Sequence, residues 1–260
     1  MLAAATYWLL VLAEGAYFGT AVVCKLYDWT AHRYESIKQF DPYYERWLLG
    51  EPIAQALSHL HQPLVLDVAT GTCRFPRALF GAGFAEGYVV GLDRSRPMLL
   101  EGARLVARGR ERLALLQADA LQVPFGDSTF DVVACLEALE FFPNLEAGLT
   151  EMVRVLKPGG ALFITNRKGA ARWYMPGHVR TLTQLARYLD SLGMEQISAS
   201  RWQLDYDLVH ARKARQEHRM PGRFARSQTA VPSDQVNRSA AVHSSVSVSG
   251  SSHARTKRDP

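Results

Sequence analysis

Between residues 64 and 213, short apolar runs alternate with amphipathic stretches, and no other feature of the chain constrains its fold as tightly. Runs at 64–69, 88–93, 113–118, 130–136 and 161–166 are six or seven residues long and dominated by Val, Leu, Ala, Ile and Phe. That is the length and content of buried strands. Between them the period lengthens. Residues 98–106 read as one helix and 145–156 as another, where Leu149, Met152, Val153 and Leu156 recur at helical spacing. Near-continuous apolar strands with helices between them call for a largely parallel sheet covered on both faces. The end of the region departs from that pattern. Residues 195–203 and 205–211 are strand-like with no helix between them, so they form a hairpin, which is not the usual dinucleotide-binding layout.

The flanks read differently. Residues 1–24 are mostly apolar and read as a helix near the roughly 20 residues that span a bilayer. No Lys or Arg precedes the apolar run, which argues against a cleaved signal peptide. Two readings stay open. One is a membrane anchor, in which Glu14 at mid-segment would cost roughly 2–3 kcal/mol. The other is a helix packed on the domain, or lying at a membrane surface, with Glu14 turned outward. If the segment spans, Lys25, Arg33 and Lys38 behind it put the domain in the cytoplasm. Residues 25–63 read as an N-terminal helical cap, 64–213 as the core, and 214–260 as a basic, Ser- and Arg-rich disordered tail. The tail holds eight Lys or Arg against three Asp or Glu, which accounts for the whole net charge of +5. The basic balance is therefore no sign of a nucleic-acid partner for the core, and none is expected. Cys24, Cys73 and Cys135 have neither metal-ligand spacing nor a disulfide framework, so no metal is expected and a reducing, cytoplasmic setting is the simplest.

Three stretches carry chemistry. In the first, the strand Val65-Leu66-Asp67-Val68 runs through the small-residue loop Ala69-Thr70-Gly71-Thr72-Cys73 into a helix near Phe75. Small residues let backbone approach a ligand, and helix-start amides favour an anionic group. In the second, Val89-Val90-Gly91-Leu92 ends at Asp93, an acid placed to accept both hydroxyls of a ribose at roughly 1.5–3 kcal/mol per bond. The bland alternative is that Asp93 or Ser95 caps the helix holding Met98. The third stretch runs from Asp119 through Pro124 to Phe130 and Asp131, with Asp119 after the third strand, where it can accept from an exocyclic amine.

With Glu151-Met152-Val153-Arg154-Val155-Leu156-Lys157-Pro158-Gly159-Gly160 added, these stretches resemble the class I S-adenosylmethionine-dependent methyltransferases, particularly the branch that includes the ubiquinone and menaquinone biosynthesis enzymes. The likeness runs from about Tyr27 to Lys213. It implies an α/β, Rossmann-like, doubly wound and mostly parallel seven-stranded sheet with a C-terminal antiparallel hairpin. It also implies S-adenosylmethionine as cofactor. Asp67, Ala69, Gly71 and Cys73 would cradle its amino-acid end, and Asp93 with Arg94 its ribose. Met98 would line the adenine region, and Asp119 with the Ala120 amide would read the adenine edge. Cys135 would border the methyl, Tyr27-Asp28 and Tyr34 would belong to the segment folded over the cofactor unless they are simply packed aromatics, and Arg154 and Gly160 would be structural. Ala69 and Cys73 stand where the family usually has Gly, and Cys73 brings a side chain to the place where backbone and ligand meet.

Methyl transfer is a direct displacement at carbon, and orientation alone can supply roughly 7–11 kcal/mol of the barrier. The fourth strand ends in Cys135-Leu136-Glu137-Ala138-Leu139-Glu140-Phe141-Phe142, not in the Asn-Pro-Pro-aromatic sequence of enzymes that methylate DNA bases or protein glutamines. Glu140 falls where many relatives carry a His and is the candidate general base or acceptor-orienting group. Its rival role is a capping or solvated acid. Trp173, Tyr174 and Met175 form an acceptor lid or a plain connecting loop, and His178 reads as an ordinary loop residue. The apolar N-terminus favours a small-molecule, lipid or quinone-like acceptor. A dehydrogenase is disfavoured, because the loop lacks the second and third glycines of the dinucleotide fingerprint. A non-catalytic cofactor-binding module with the same fold remains the alternative.

Overall fold

The computed structural model describes residues 6–215. Residues 1–5 of the apolar segment and all but the first two residues of the expected tail lie outside them. Seven strands make one sheet: β1 (Leu64–Val68), β2 (Tyr88–Asp93), β3 (Leu113–Gln117), β4 (Phe130–Cys135), β5 (Leu156–Arg167), β6 (Met194–Arg201) and β7 (Tyr206–Lys213). Their order across the sheet is β3-β2-β1-β4-β5-β7-β6. The first five run parallel, and β7 is antiparallel to both β5 and β6. The sheet is therefore the Rossmann-like one implied by the motifs, closed by the hairpin.

Alternation along each strand sends side chains to two cores. Leu66, Val68, Val133 and Cys135 pack on one face with Leu149 and Met152 of the helix Leu145–Val155. Val65, Val132 and Ala134 pack on the other with Phe75 and Leu79 of the helix Arg74–Gly81. Burial on both faces explains why these strands read as apolar runs rather than as alternating ones. Between β1 and its neighbour β4 the winding reverses, and the loops after those two strands part there, which opens a crevice at their C-terminal ends.

Two elements differ from the sequence reading. β5 begins at Leu156, five residues before the expected run, because Leu156 pairs with Phe130 and an irregularity then absorbs the Pro158-Gly159-Gly160 segment. Gly159 takes φ 78°, and a Cβ on Gly160 would stand 2.9 Å from the Asp131 carbonyl. Arg154 ties this region down by donating to the carbonyls of Phe125 and Val123 while pairing with Glu151 and Asp127.

The second difference lies in residues 1–24, which do not form one helix over their described part. Trp8–Leu12 and Ala16–Phe18 are single helical turns, and the helix Thr20–Thr30 starts only after Gly19. Glu14, Gly15 and Gly19 at φ 47°, 75° and 84° break the run. Glu14 turns inward, not outward: its carboxylate accepts from the Tyr27 hydroxyl at 2.8 Å and lies 3.7 Å from the Arg167 guanidinium. Ala13, Ala16 and Met175 share a small core, so this segment caps the domain. No helix of the described residues is long and apolar enough to cross a membrane.

Candidate functional site

Three left-handed residues shape the loop after β1: Ala69, Gly71 and Cys73, at φ 56°, 54° and 60°. This is the geometry that favours glycine, held here twice by residues with a Cβ at a cost of about 1–2 kcal/mol each. The thiol does not enter the ligand space. It is buried against Gly102 of the helix Arg96–Leu105, where an added Cβ would come within 2.5 Å of Sγ. Burial pushes the thiol up to about 12, so it is an inert packing group.

The loop meets β2 through Asp93. One carboxylate oxygen accepts from the Gly71 amide and the other from the Ser95 amide, both at 2.8 Å. The helix cap is Ser95, whose hydroxyl accepts from the Met98 amide. Asp93 is thus preorganised by backbone rather than used up as a cap. At the tip of β3, Asp119 accepts from the Leu121 amide at 2.9 Å and pairs with Arg94 at 3.1 Å.

Asp93, Arg94, Met98, Asp119, Ala120, Ala69, Gly71 and Tyr34 line one cleft of about 830 Å³, counted with the space open to solvent at its mouth. The far wall is aromatic and apolar, formed by Tyr27, Leu136, Phe141 and Phe142, and Thr20, Val23 and Cys24 complete a roof. A second hollow of about 360 Å³ shares Tyr34, Ala69, Gly71, Leu136 and Glu137 with the first and adds Asp67 and Arg74. Asp67 is buried, accepts from the Thr70 hydroxyl at 2.5 Å, and is pushed up to about 7 by desolvation. Arg74 is held by Glu45 at 2.6 Å and by Glu137.

Three candidates lie elsewhere. Cys135 ends β4 with its side chain in the core rather than at the cleft. Cys73 faces the neighbouring helix, as above. Glu140 does not line the cleft either: its carboxylate is 2% exposed, accepts from the Tyr206 hydroxyl and pairs with Arg167 at 3.3 Å. Burial raises its pKa. The acid of this turn that reaches the cleft is Glu137, which sits at φ 52° with its amide donating to Thr165 Oγ1 at 2.6 Å. No acceptor lid forms from 173–175. Trp173 is exposed, while Tyr174 and Met175 hold the N-terminal segment, Trp8 Nε1 donating to the Tyr174 carbonyl. His178 shares a 2.8 Å contact with the Glu140 carbonyl and stands edge-on to Tyr17. Of the roof residues, Tyr27 falls in the segment expected to fold over the cofactor, while Thr20, Val23 and Cys24 were not anticipated, although their spacing of three, four and seven with Tyr27 marks one helical stripe.

A family described as a methyltransferase domain matches residues 66–164. Demethylmenaquinone methyltransferases of Bacillus cereus (strain B4264) and Bacillus anthracis (strain A0248) are 44% identical over 96 residues, which is 36% of this chain and 40% of theirs. Over residues 66–164 these matches support a class I, S-adenosylmethionine-dependent methyltransferase domain. The chain spans about two fifths of the length of the curated relatives it matches. A solved methyltransferase from Aquifex aeolicus shares the fold of this one at 21% identity and TM-score 0.52, over 67% of this chain and all of that one. The CurJ carbon methyltransferase does so at 15% identity and TM-score 0.57, over 65% of this chain and 54% of that one. The cleft suits S-adenosylmethionine. Two acids at neighbouring strand tips share one cavity with Met98 and Ala120, and the adjoining hollow offers both signs of charge to a zwitterion. Gly71 keeps the passage open, since a Cβ there would press on Met98 Cε at 3.3 Å.

Proposed function

We propose that the chain transfers a methyl group from S-adenosylmethionine to an apolar, quinone-like acceptor by direct displacement. The observation that carries this reading is the two-ended cleft, with acids at the strand tips on one side and Tyr27, Phe141 and Phe142 on the other. Bound there, the cofactor supplies an electrophilic methyl on a sulfonium. In this reading Asp93 holds the ribose, Asp119 and the Ala120 amide hold the adenine edge, and Asp67, Arg74 and Glu137 hold the amino-acid end. The aromatic wall orients a flat apolar acceptor and excludes water. The names of the Bacillus relatives support a quinone-like acceptor. Three unpaired cysteines support a reducing, cytoplasmic setting.

One observation favours the second reading, a cofactor-binding module without turnover: the acid at this wall, Glu137, is already engaged in ion pairs with Arg74 and Lys38. Calorimetric titration with S-adenosylmethionine and its demethylated product, followed by labelled-methyl transfer to a short-chain demethylmenaquinone, separates the readings. Transfer establishes the enzyme, binding without transfer to any quinone or lipid acceptor favours the module, and no binding defeats both. Cys24 gives an independent readout. It lines the cleft while Cys73 and Cys135 are buried, so ligand should slow its alkylation by maleimide.

A further inference from the structure

The helix Thr20–Thr30 presents two opposite faces. Thr20, Val23, Cys24 and Tyr27 look into the cleft. About half a turn away, at 100° per residue, stand Ala21, Lys25 and Trp29, all exposed. Exposed Phe18 and Arg33 flank the helix. Trp29 is 78% exposed and Phe18 50%, so neither is explained by packing among the described residues.

Within residues 6–38 the outward-facing charge is one-signed. The acids of residues 6–38 are Glu14, Asp28 and Glu35, and all three are turned inward. Glu14 accepts from Tyr27, Asp28 from the Ser95 hydroxyl, and Glu35 from the Thr72 hydroxyl while pairing with Arg77. Lys25 and Arg33 have no ion-pair partner among the described residues. The outer face is therefore made of aromatic rings and unneutralised cations. Trp at headgroup depth with cations beside it is the chemistry of an interfacial helix on an anionic bilayer.

We infer that this face seats the protein on an anionic lipid surface. The surface is argued from the helix alone. Its use, to bring an apolar acceptor to the cleft roofed by the same helix, rests on the proposed function. The contact differs from a membrane-spanning anchor, because the helix lies flat and its other face is already occupied.

The test mixes the whole protein with phosphatidylcholine vesicles, with and without phosphatidylglycerol, whose acyl chains carry bromine as a quencher of Trp fluorescence. Binding is expected with phosphatidylglycerol alone, with quenching that Trp29→Phe removes in larger part. Lys25→Glu combined with Arg33→Glu should lower partitioning roughly tenfold or more. These residues are exposed and outside the cleft, so circular dichroism should show an unchanged fold. Absence of binding overturns the inference. So does binding whose quenching ignores Trp29→Phe, since residues 214–260 would then account for the attraction. An S-adenosylmethionine titration on the same samples reads the cleft separately, so the lipid contact and the proposed function fail independently.

Discussion

Strand-tip carboxylates serve a ligand only when the protein fixes them without consuming them, and Asp93 meets that condition. Each of its oxygens takes one backbone N–H, which aims the group and leaves lone pairs for the cleft. Asp93→Asn should therefore weaken S-adenosylmethionine binding by about tenfold to a hundredfold, read by calorimetry, with the fold retained. Asp67 behaves differently because it is buried. Its ordinary value of 3.8 rises to about 7, so between those values the folded chain keeps a proton that the unfolded chain has released. Stability from this group is thus greatest below about pH 4 and falls as pH climbs to 7, and Asp67→Asn should flatten that slope. A bound ammonium favours the ionised carboxylate. Cofactor affinity should then strengthen as pH rises through 7, with proton release below it, seen as a binding heat that depends on buffer ionisation. Equal affinity at pH 6 and 8 would remove Asp67 from the cofactor's amino-acid end.

Arg167 joins three elements. It ends β5, pairs with Glu140 in the turn after β4, lies near Glu14 of the N-terminal segment, and donates to the Tyr174 hydroxyl at 3.2 Å. With 11% of its side chain exposed, it is the ionic clasp between sheet and cap. Arg167→Met would strand Glu140 as a buried, uncompensated carboxylate at a cost of about 3–5 kcal/mol. Hydrogen exchange should then accelerate over residues 8–18 while β1 and β4 stay protected, and adding Glu140→Gln should restore part of the loss. Glu140→Gln alone should leave the pH profile of turnover unchanged, because the group never reaches the cleft. A second junction joins helix to loop. Gly102→Ala would drive a methyl to within 2.5 Å of Cys73 Sγ and 3.0 Å of the Thr72 carbonyl carbon. The expected loss is about 1–3 kcal/mol in denaturant titration, and Cys73→Gly in the same chain should recover much of it, because the clashing sulfur goes and the φ 60° position is relieved.

Over the whole molecule, legibility followed how local the deciding force was. Strands buried on both faces announce themselves as apolar runs, and the acids closing them fall at strand tips by the same count, while it took the family resemblance to put Asp93 and Asp119 on one cavity. The start of β5 could not, since Lys157-Pro158-Gly159-Gly160 reads as a turn until Phe130 pairs with Leu156. Glu137 and Glu140 are three residues apart, and what separates the cleft acid from the buried one is a left-handed backbone at Glu137, a conformation that leaves no mark in a residue with a side chain. The cap was read as one helix because its apolar content outweighed Gly15 and Gly19, which break it. The cleft is consequently a product of distant parts, a sheet edge below and residues 20–34 above, and that gives it a thermodynamic signature. A ligand touching both should stabilise the entire fold. At about a hundred times its dissociation constant, S-adenosylmethionine contributes roughly 2.7 kcal/mol, which for a domain of this size raises the melting temperature by about 5–10 °C. Asp93→Asn with Asp119→Asn should abolish the shift by removing the floor contacts, and Tyr27→Ala should reduce it by opening the roof. A shift that survives the double substitution would mean that the cofactor sits somewhere other than over β2 and β3.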